Sequence, residues 1–280
     1  MAVLTEVQRA ALRRLLESPK YEILPLGDVL PQLAELPLHA TLAVTASPGK
    51  GVDASLAVAG QLRAAGHDVV VHLAARSLTD GAHLRRLLER MRAADLRRAF
   101  VVGGDAASPG AFPDALSMLR ELAEAGQELT EVGIGCYPQG HPLVDDARLL
   151  DALHAKAPYA QYMTTQLCFD ADALTRWVRA RRAEGMDLPL DIGVAGAVET
   201  ARLLRISARI GVTDATRYLR TWGGLVARLL RPGGYRPDSL LVSLAPLAAE
   251  EAAGVRGLHI FTFNQVARTD AWRRRFLQAL

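Results

Sequence analysis

The chain has 280 residues, half of them apolar, which suffices for one full-sized core or two small ones. Its 33 Lys and Arg against 30 Asp and Glu leave a formal charge of +3. With 22% charged residues, the composition excludes a disordered, collagen-like or coiled-coil chain. So small a basic excess does not by itself point to nucleic acid.

Residues 1–20 (MAVLTEVQRAALRRLLESPK) carry charges throughout and read as an amphipathic helix, not a signal peptide. No stretch approaches the roughly eighteen apolar residues of a membrane span. The two cysteines, Cys136 and Cys168, sit inside apolar runs, which suits buried thiols in a reducing compartment. The expectation is a cytoplasmic protein with a small-molecule substrate, no nucleic acid and no membrane. A homo-oligomer is compatible with it. The basic runs Arg85-Arg86, Arg97-Arg98, Arg179-Arg181-Arg182 and Arg273-Arg274-Arg275 read mostly as solvated helix faces.

From residue 21 onward an alternation sets in. Short apolar, β-branched runs fall at 21–26 (YEILPL), 41–47 (TLAVTAS), 68–75 (DVVVHLAA) and 98–105 (RAFVVGGD). Four more follow at 131–138 (EVGIGCYP), 160–167 (AQYMTTQL), 188–196 (LPLDIGVAG) and 257–264 (GLHIFTFN). Between them lie segments such as VDASLAVAGQLRAAG, DGAHLRRLLERMRAAD, PDALSMLRELAEAG and DADALTRWVRARRAEG. Their apolar residues recur at i, i+3, i+4 and i+7, and three of the four end at glycine. Near-continuous apolar strands are covered on both faces, as in parallel sheets. Eight strand–helix units in this length predict an α/β fold, a (β/α)8 TIM barrel forming a single domain over residues 1–280, with an extra N-terminal helix. The long interval from Gly196 to Gly257 predicts a helical insertion between strands 7 and 8: a helix over 198–211, another around 215–230, a turn at 231–237 and a further helix. A last helix over 269–280 would close the barrel floor or a subunit contact. A doubly wound sheet with a helical appendage is the alternative architecture.

In a barrel, chemistry sits at the C-terminal mouth of the strands. Nearly every predicted strand has a polar residue in or just after its apolar run: Glu22, Thr45, His72, Asp105, Tyr137 with His141, Thr165-Gln166 and Asn264-Gln265. A strand threonine is ordinarily structural, a lone strand histidine is ordinarily a satisfied core residue, and Asp105 after two glycines would serve as a turn or cap. Glu22 resists such a reading, because a carboxylate inside a strand is costly unless paired or protonated. An inward carboxyl that holds its proton is what a general acid near neutrality needs. No metal-ligand spacing, GxSxG elbow or GxGxxG after the first strand is present, and Ser47-Pro48-Gly49-Lys50-Gly51 lacks phosphate-loop spacing.

The order of these residues resembles the catalytic barrel of the methylenetetrahydrofolate reductases. Tyr21-Glu22-Ile23-Leu24-Pro25-Leu26 is similar to the family's FEFFPP, Val44-Thr45-Ala46-Ser47 to VTYG, His72-Leu73-Ala74-Ala75 to HLTC and Gly103-Gly104-Asp105 to RGD. The run from Ile134 through Tyr137-Pro138-Gln139-Gly140-His141-Pro142 resembles AGYPEGHP, Thr165-Gln166-Leu167-Cys168-Phe169-Asp170 resembles TQFFFD, and 259–265 resembles HFYTMNR. The resemblance spans Tyr21 to Asn264. It implies reduction of 5,10-methylenetetrahydrofolate to 5-methyltetrahydrofolate with NADH or NADPH as hydride donor, through bound FAD. It implies Glu22 as general acid and Asp105 as the charge beside both the developing cation and the flavin. It further implies Gln166 and Phe169 on the pterin, and Thr45, His72, Asp105, Tyr137, His141 and Lys156 on the flavin cofactor.

Four departures bear on the cofactor. Gly103 stands for the arginine of RGD, Gln139 for a glutamate and Leu167-Cys168 for two phenylalanines, while 191–196 (DIGVAG) keeps only the glycine of IPGIxP. The positions holding the FAD ribose and pyrophosphate fall at Arg148 and Asp151. The pterin half is better kept than the dinucleotide half, so either unusual FAD binding or direct hydride transfer from NADH to folate is expected. Another folate- or pterin-dependent one-carbon or methyl transferase, or a non-catalytic folate- or flavin-binding relative, stays open.

Overall fold

A computed structural model describes residues 3–26, 29–33, 36–46, 51–106, 108–125, 129–141, 144–199 and 236–280. Helix α1 (Glu6–Glu17) begins at Thr5, whose hydroxyl accepts from the Gln8 amide while the Gln8 side chain answers the Thr5 N–H. It buries Leu12, Leu15 and Leu16. Eight strands then follow: β1 (Lys20–Ile23), β2 (Thr41–Val44), β3 (Asp68–Ala74), β4 (Arg98–Val102), β5 (Glu131–Cys136), β6 (Tyr162–Thr165), β7 (Leu190–Ala195) and β8 (Val255–Phe261). All pair in parallel and in chain order, and β8 returns to β1 through Tyr21 opposite Ile260 and Glu22 opposite Phe261, closing a (β/α)8 barrel.

The remaining helices are α2 (Gly51–Ala64), α3 (Gly81–Ala93), α4 (Ala115–Glu124), α5 (Asp146–Lys156), α6 (Ala171–Ala183), α7 (Asp238–Ala249) and α8 (Val266–Ala279). Four of them start at an aspartate, Asp80, Asp114, Asp145 or Asp170, whose carboxylate accepts from the backbone N–H three residues on. Between β1 and β2 the described residues form only a short 3₁₀ turn (Leu30–Leu33) where the alternation predicts a helix. The helices expected over 198–211 and 215–230 lie almost wholly outside the described residues. Helix α7 matches the expected last element of the insertion and packs on α1.

Alternation along the strands separates two apolar regions. Outward residues such as Tyr21, Ile23, Leu42, Val71, Val101, Ile134, Ile192 and Ile260 join the helices in one main core. Inward residues Ala43, Val70, Phe100 and Tyr162 form a second cluster inside the cylinder. A Cβ at Gly133 would fall within the Tyr162 ring, so only glycine on β5 leaves that ring room. The strands are therefore covered on both faces, as the unbroken apolar runs predict.

The floor of the cylinder is ionic. Lys20 Nζ lies 2.9 Å from Asp191 Oδ2, and Arg256 reaches Asp191 Oδ1 at 2.9 Å and Glu131 Oε1 at 2.5 Å. Arg98 closes the chain of charges on Glu131 Oε2 at 2.7 Å. Both Lys20 and Arg256 also lie over the Tyr162 ring, at 4.1 and 3.9 Å from its centre. Burial would raise the Asp191 carboxyl, but the Lys20 and Arg256 cations outweigh it and hold it below the usual carboxylate range.

Three arginines of the basic runs are not solvated faces. Arg98 belongs to this floor. Arg182 donates to the carbonyls of Met186, Leu188 and Ala253, and Arg273 is buried against Asp270 and the Leu16 carbonyl. Charged heads at helical spacing served backbone oxygens on neighbouring elements, which the local pattern does not encode. Helix α8 packs on α1, and its Asp270 accepts from the Tyr21 hydroxyl of β1 at 2.6 Å.

Candidate active site

Directly above the floor, three titratable side chains from three strands converge. Glu22 of β1 points inward with 15% of its side chain exposed, and its Oε2 lies 3.0 Å from Nε2 of His259 on β8. His72 of β3 stands opposite, stacked on His259 with ring centres 6.1 Å apart and tilted on Phe100 at 4.8 Å. Donor atoms of Glu22, His72 and His259 all lie within 4.8 Å of one another. The sequence predicts no metal site. One carboxylate and two imidazoles are a donor set a metal ion accepts, yet here one edge of the triangle is already a hydrogen bond. Burial, then the neighbouring His259 and Lys20, hold the His72 imidazole well below its usual range, so it is neutral at physiological pH. Its Nε2 is buried with no hydrogen-bond partner among the described residues.

Glu22 is fixed by its backbone as well. The Thr262 hydroxyl donates to the Glu22 carbonyl at 2.5 Å, and the Asn264 side chain both accepts from Leu24 N and donates to Leu24 O at 2.9 Å. Phe263 and Asn264 adopt φ of 50° and 54°, left-handed values that cost a bulky residue such as phenylalanine about 1–2 kcal/mol. That turn brings the Asn264 amide back onto the first strand's exit.

Around the mouth the other predicted residues divide into groups. Thr45 follows β2, its N–H on the Ile23 carbonyl at 3.0 Å and its hydroxyl buried without a partner among the described residues. Gln166 follows β6 and turns its Oε1 onto the Leu167 N–H at 2.8 Å. The Phe169 N–H donates to Gln139 Oε1 at 3.0 Å, and its ring joins Leu167, Ala195, Val198 and Phe263 in an apolar wall. Tyr137 and His141 meet edge to face with centres 5.4 Å apart. Asp105 lies on the exposed loop after β4, not within a strand, and its charge reaches His141.

The flavin dinucleotide implied by the resemblance needs cations for its diphosphate, and among the described residues this side of the mouth does not gather them. A Cβ at Gly103 would meet nothing within 4 Å, and the glycine brings no cation where RGD has its arginine. The Lys156 ammonium is buried and donates to the Gly135 carbonyl at 3.2 Å, with burial pulling it below the usual lysine range. Arg76 grips the carbonyls of Ala106 and Pro113, while Arg148 is 82% exposed and turned to Asp145; Asp151 is exposed on α5. Leu149, Leu150 and Leu153 of α5 line a cavity of about 260 Å³ with Tyr137, Trp177 and Arg181. The ring end of a flavin would find polar partners in Thr45 and His72; among the described residues the diphosphate end is not matched.

His259 and Thr262 fall inside the last predicted strand but were not singled out by sequence. The signal for His259 is the period of two that puts Gly257, His259 and Phe261 on the inward face; Thr262, one residue past the strand, falls outside that pattern. The floor residues Lys20, Asp191 and Arg256 were likewise missed.

A family model described as methylenetetrahydrofolate reductase matches residues 34–213. A probable methylenetetrahydrofolate reductase (NADPH) of Caenorhabditis elegans is 26% identical over 170 residues, 58% of this chain; the match covers 25% of that protein, so this chain spans about a quarter of its curated relative. Among solved structures, a provisionally assigned deoxyribose-phosphate aldolase of Toxoplasma gondii ME49 superposes with a TM-score of 0.50 and 10% identity, covering 99% of both chains, a likeness of fold alone. The family match begins after β1 and ends before β8, so Glu22 and His259 both lie outside it. Among the described residues no helix is long and apolar enough to cross a membrane.

Proposed function

Because the chain belongs to the methylenetetrahydrofolate reductase family, we propose that it reduces 5,10-methylenetetrahydrofolate to 5-methyltetrahydrofolate, taking hydride from NADH or NADPH directly rather than through a resident flavin. The observation that carries this reading is the inward Glu22 carboxyl, pinned above a closed floor on an apolar-lined strand. The chemistry has two steps. Breaking the bond between the bridging methylene and N10 leaves a 5-iminium cation, and N10 takes the proton that Glu22 supplies. Hydride then adds to the iminium carbon, the nicotinamide leaves oxidised, and solvent returns a proton to Glu22.

The remaining groups act on charge and position. Asp105, exposed on the loop after β4, offers negative charge to the cation across the mouth. The wall of Phe169, Leu167 and Phe263 gives the pterin a flat apolar surface, and Gln166 gives it an amide to pair with. Neutral His72 adds no positive charge beneath the developing cation.

Anaerobic oxidation of NADH and of NADPH by the purified protein, with methylenetetrahydrofolate and with or without added FAD, tests the proposal. The expected result is a colourless preparation that turns over equally well in both conditions. A bound blue-absorbing flavin would remove the direct-transfer part. Absence of turnover with either nucleotide, with and without FAD, would remove the reductase itself.

A further inference from the structure

We propose that His259 is the positioning residue of the acid, the head of a clamp in which β8 and its exit (His259, Thr262, Asn264) fix Glu22 so that Oε1 alone delivers the proton. The inference rests on Glu22 being the general acid. Three side chains from one six-residue stretch land on two residues at the first strand's exit, Glu22 and Leu24. His259 Nε2 holds Glu22 Oε2 at 3.0 Å, the Thr262 hydroxyl holds the Glu22 carbonyl at 2.5 Å, and Asn264 brackets Leu24 through both its N–H and its C=O. The side chain and the backbone of the acid, and the residue two positions on, are thereby held from β8 and its exit. A carboxyl with one oxygen bound to an imidazole that is 2% exposed has a single free oxygen, and its orientation no longer varies with χ2 and χ3.

The pair sits where its chemistry is isolated. The titratable group facing it from β3 is His72; one layer down Lys20 of β1, Asp191 of β7 and Arg256 of β8 are occupied with one another, and the Tyr162 ring of β6 lies under the Lys20 and Arg256 cations, its hydroxyl without a partner among the described residues. Strands β2, β4 and β5 present Ala43, Phe100 and Gly133, which do not titrate. His259 Nδ1 has no partner among the described residues, so no second group competes for this imidazole. With Nε2–H donating, the hydrogen bond fixes the carboxyl through Oε2 and leaves Oε1 facing the mouth.

The decisive comparison is His259→Leu, which deletes the donor, against His259→Gln, whose amide reaches the same place. For His259→Leu, kcat is expected to fall about 10- to 100-fold with KM within about 3-fold, and the alkaline limb of the pH–rate profile to move. His259→Gln should recover most of the rate and return the limb. In the Glu22→Gln background, His259→Leu should cost little more, because it acts through a group already removed. Equal losses in both variants with an unmoved profile, or full additivity with Glu22→Gln, would overturn the proposal.

Nuclear magnetic resonance of the His259 imidazole nitrogens, titrated in wild type and in Glu22→Gln, judges the pair without substrate. A changed His259 titration in Glu22→Gln supports the coupling even if methylenetetrahydrofolate proves not to be reduced, and an identical one defeats it even if it is. A stoichiometric metal ion in the purified protein, lost in His259→Leu and in His72→Leu, would also overturn the proposal, since Nε2 would then be a ligand.

Discussion

The barrel holds two buried clusters of charge one layer apart, and they are finished to different degrees. On the floor, two carboxylates and three cations saturate one another: Asp191 takes Lys20 and Arg256, and Glu131 takes Arg256 and Arg98. Above it, Glu22 has one imidazole, His72 offers an unpartnered Nε2, and the Thr45 hydroxyl is also unmatched among the described residues. A saturated network holds strands together and has nothing left to give a ligand. An unsaturated one, at the level where the strands open, keeps donors and acceptors for something that binds. The difference separates structural charge from chemical charge without reference to any relative.

The comparison breaks most visibly at Glu22. Glu22→Gln keeps the shape and the contact to His259 but removes the transferable proton, so kcat should fall about 10²- to 10⁴-fold with little change in KM. Its melting temperature should stay close to wild type. A variant that melts early and turns over normally would place Glu22 in the floor's class.

The opposite outcome is expected for Asp191→Ala. It strands Lys20 and part of Arg256 in the interior, and removal of one partner of a buried pair costs about 3–5 kcal/mol. Chemical denaturation should show the loss, while the folded fraction should retain its pH–rate profile. A changed profile would mean that the floor acts on the chemistry.

Much of this was legible locally. The eight apolar runs fall on the eight strands, and Asp80, Asp114, Asp145 and Asp170 announce four helix starts. The inward Glu22 stood out because a strand rarely tolerates an unpaired carboxylate. The runs overshot the strand ends: β1 stops at Ile23 and β4 at Val102, since Leu24–Leu26 and Gly103–Asp105 are mouth loops whose apolar or glycine content reads like strand. The partner of Glu22 was hidden by distance, because His259 lies 237 positions away and meets it only when β8 closes on β1. Floor pairs such as Lys20 with Asp191 are hidden for the same reason, 171 positions apart. Period-two reading shows which residues face inward, but not which of them share a layer.

The smallest predicted effect is also the sharpest separation of the two clusters, because they fail in different pH windows. Folded His72 is neutral, while the unfolded imidazole takes up a proton below about pH 6.5, so the unfolded state binds more protons there and stability rises with pH. Acidification from about pH 6.5 should therefore cost at most about 1.4 kcal/mol per pH unit from His72, with His67 and His141, both lowered chiefly by burial, adding to the same slope. The floor works the other way round. Arg256, with Lys20 on Asp191 and Arg98 on Glu131, overcomes burial and keeps both carboxyls depressed; their stabilisation is complete above about pH 4 and is lost as pH falls further. Melting temperature followed from pH 7 to pH 3 should show two descents. His72→Gln should flatten the first and leave the second, and Glu131→Gln should do the reverse at the expense of overall stability. A single descent below about pH 4, unchanged by His72→Gln, would mean that His72 carries a proton in the folded barrel, and the middle layer would then be as fully paired as the floor.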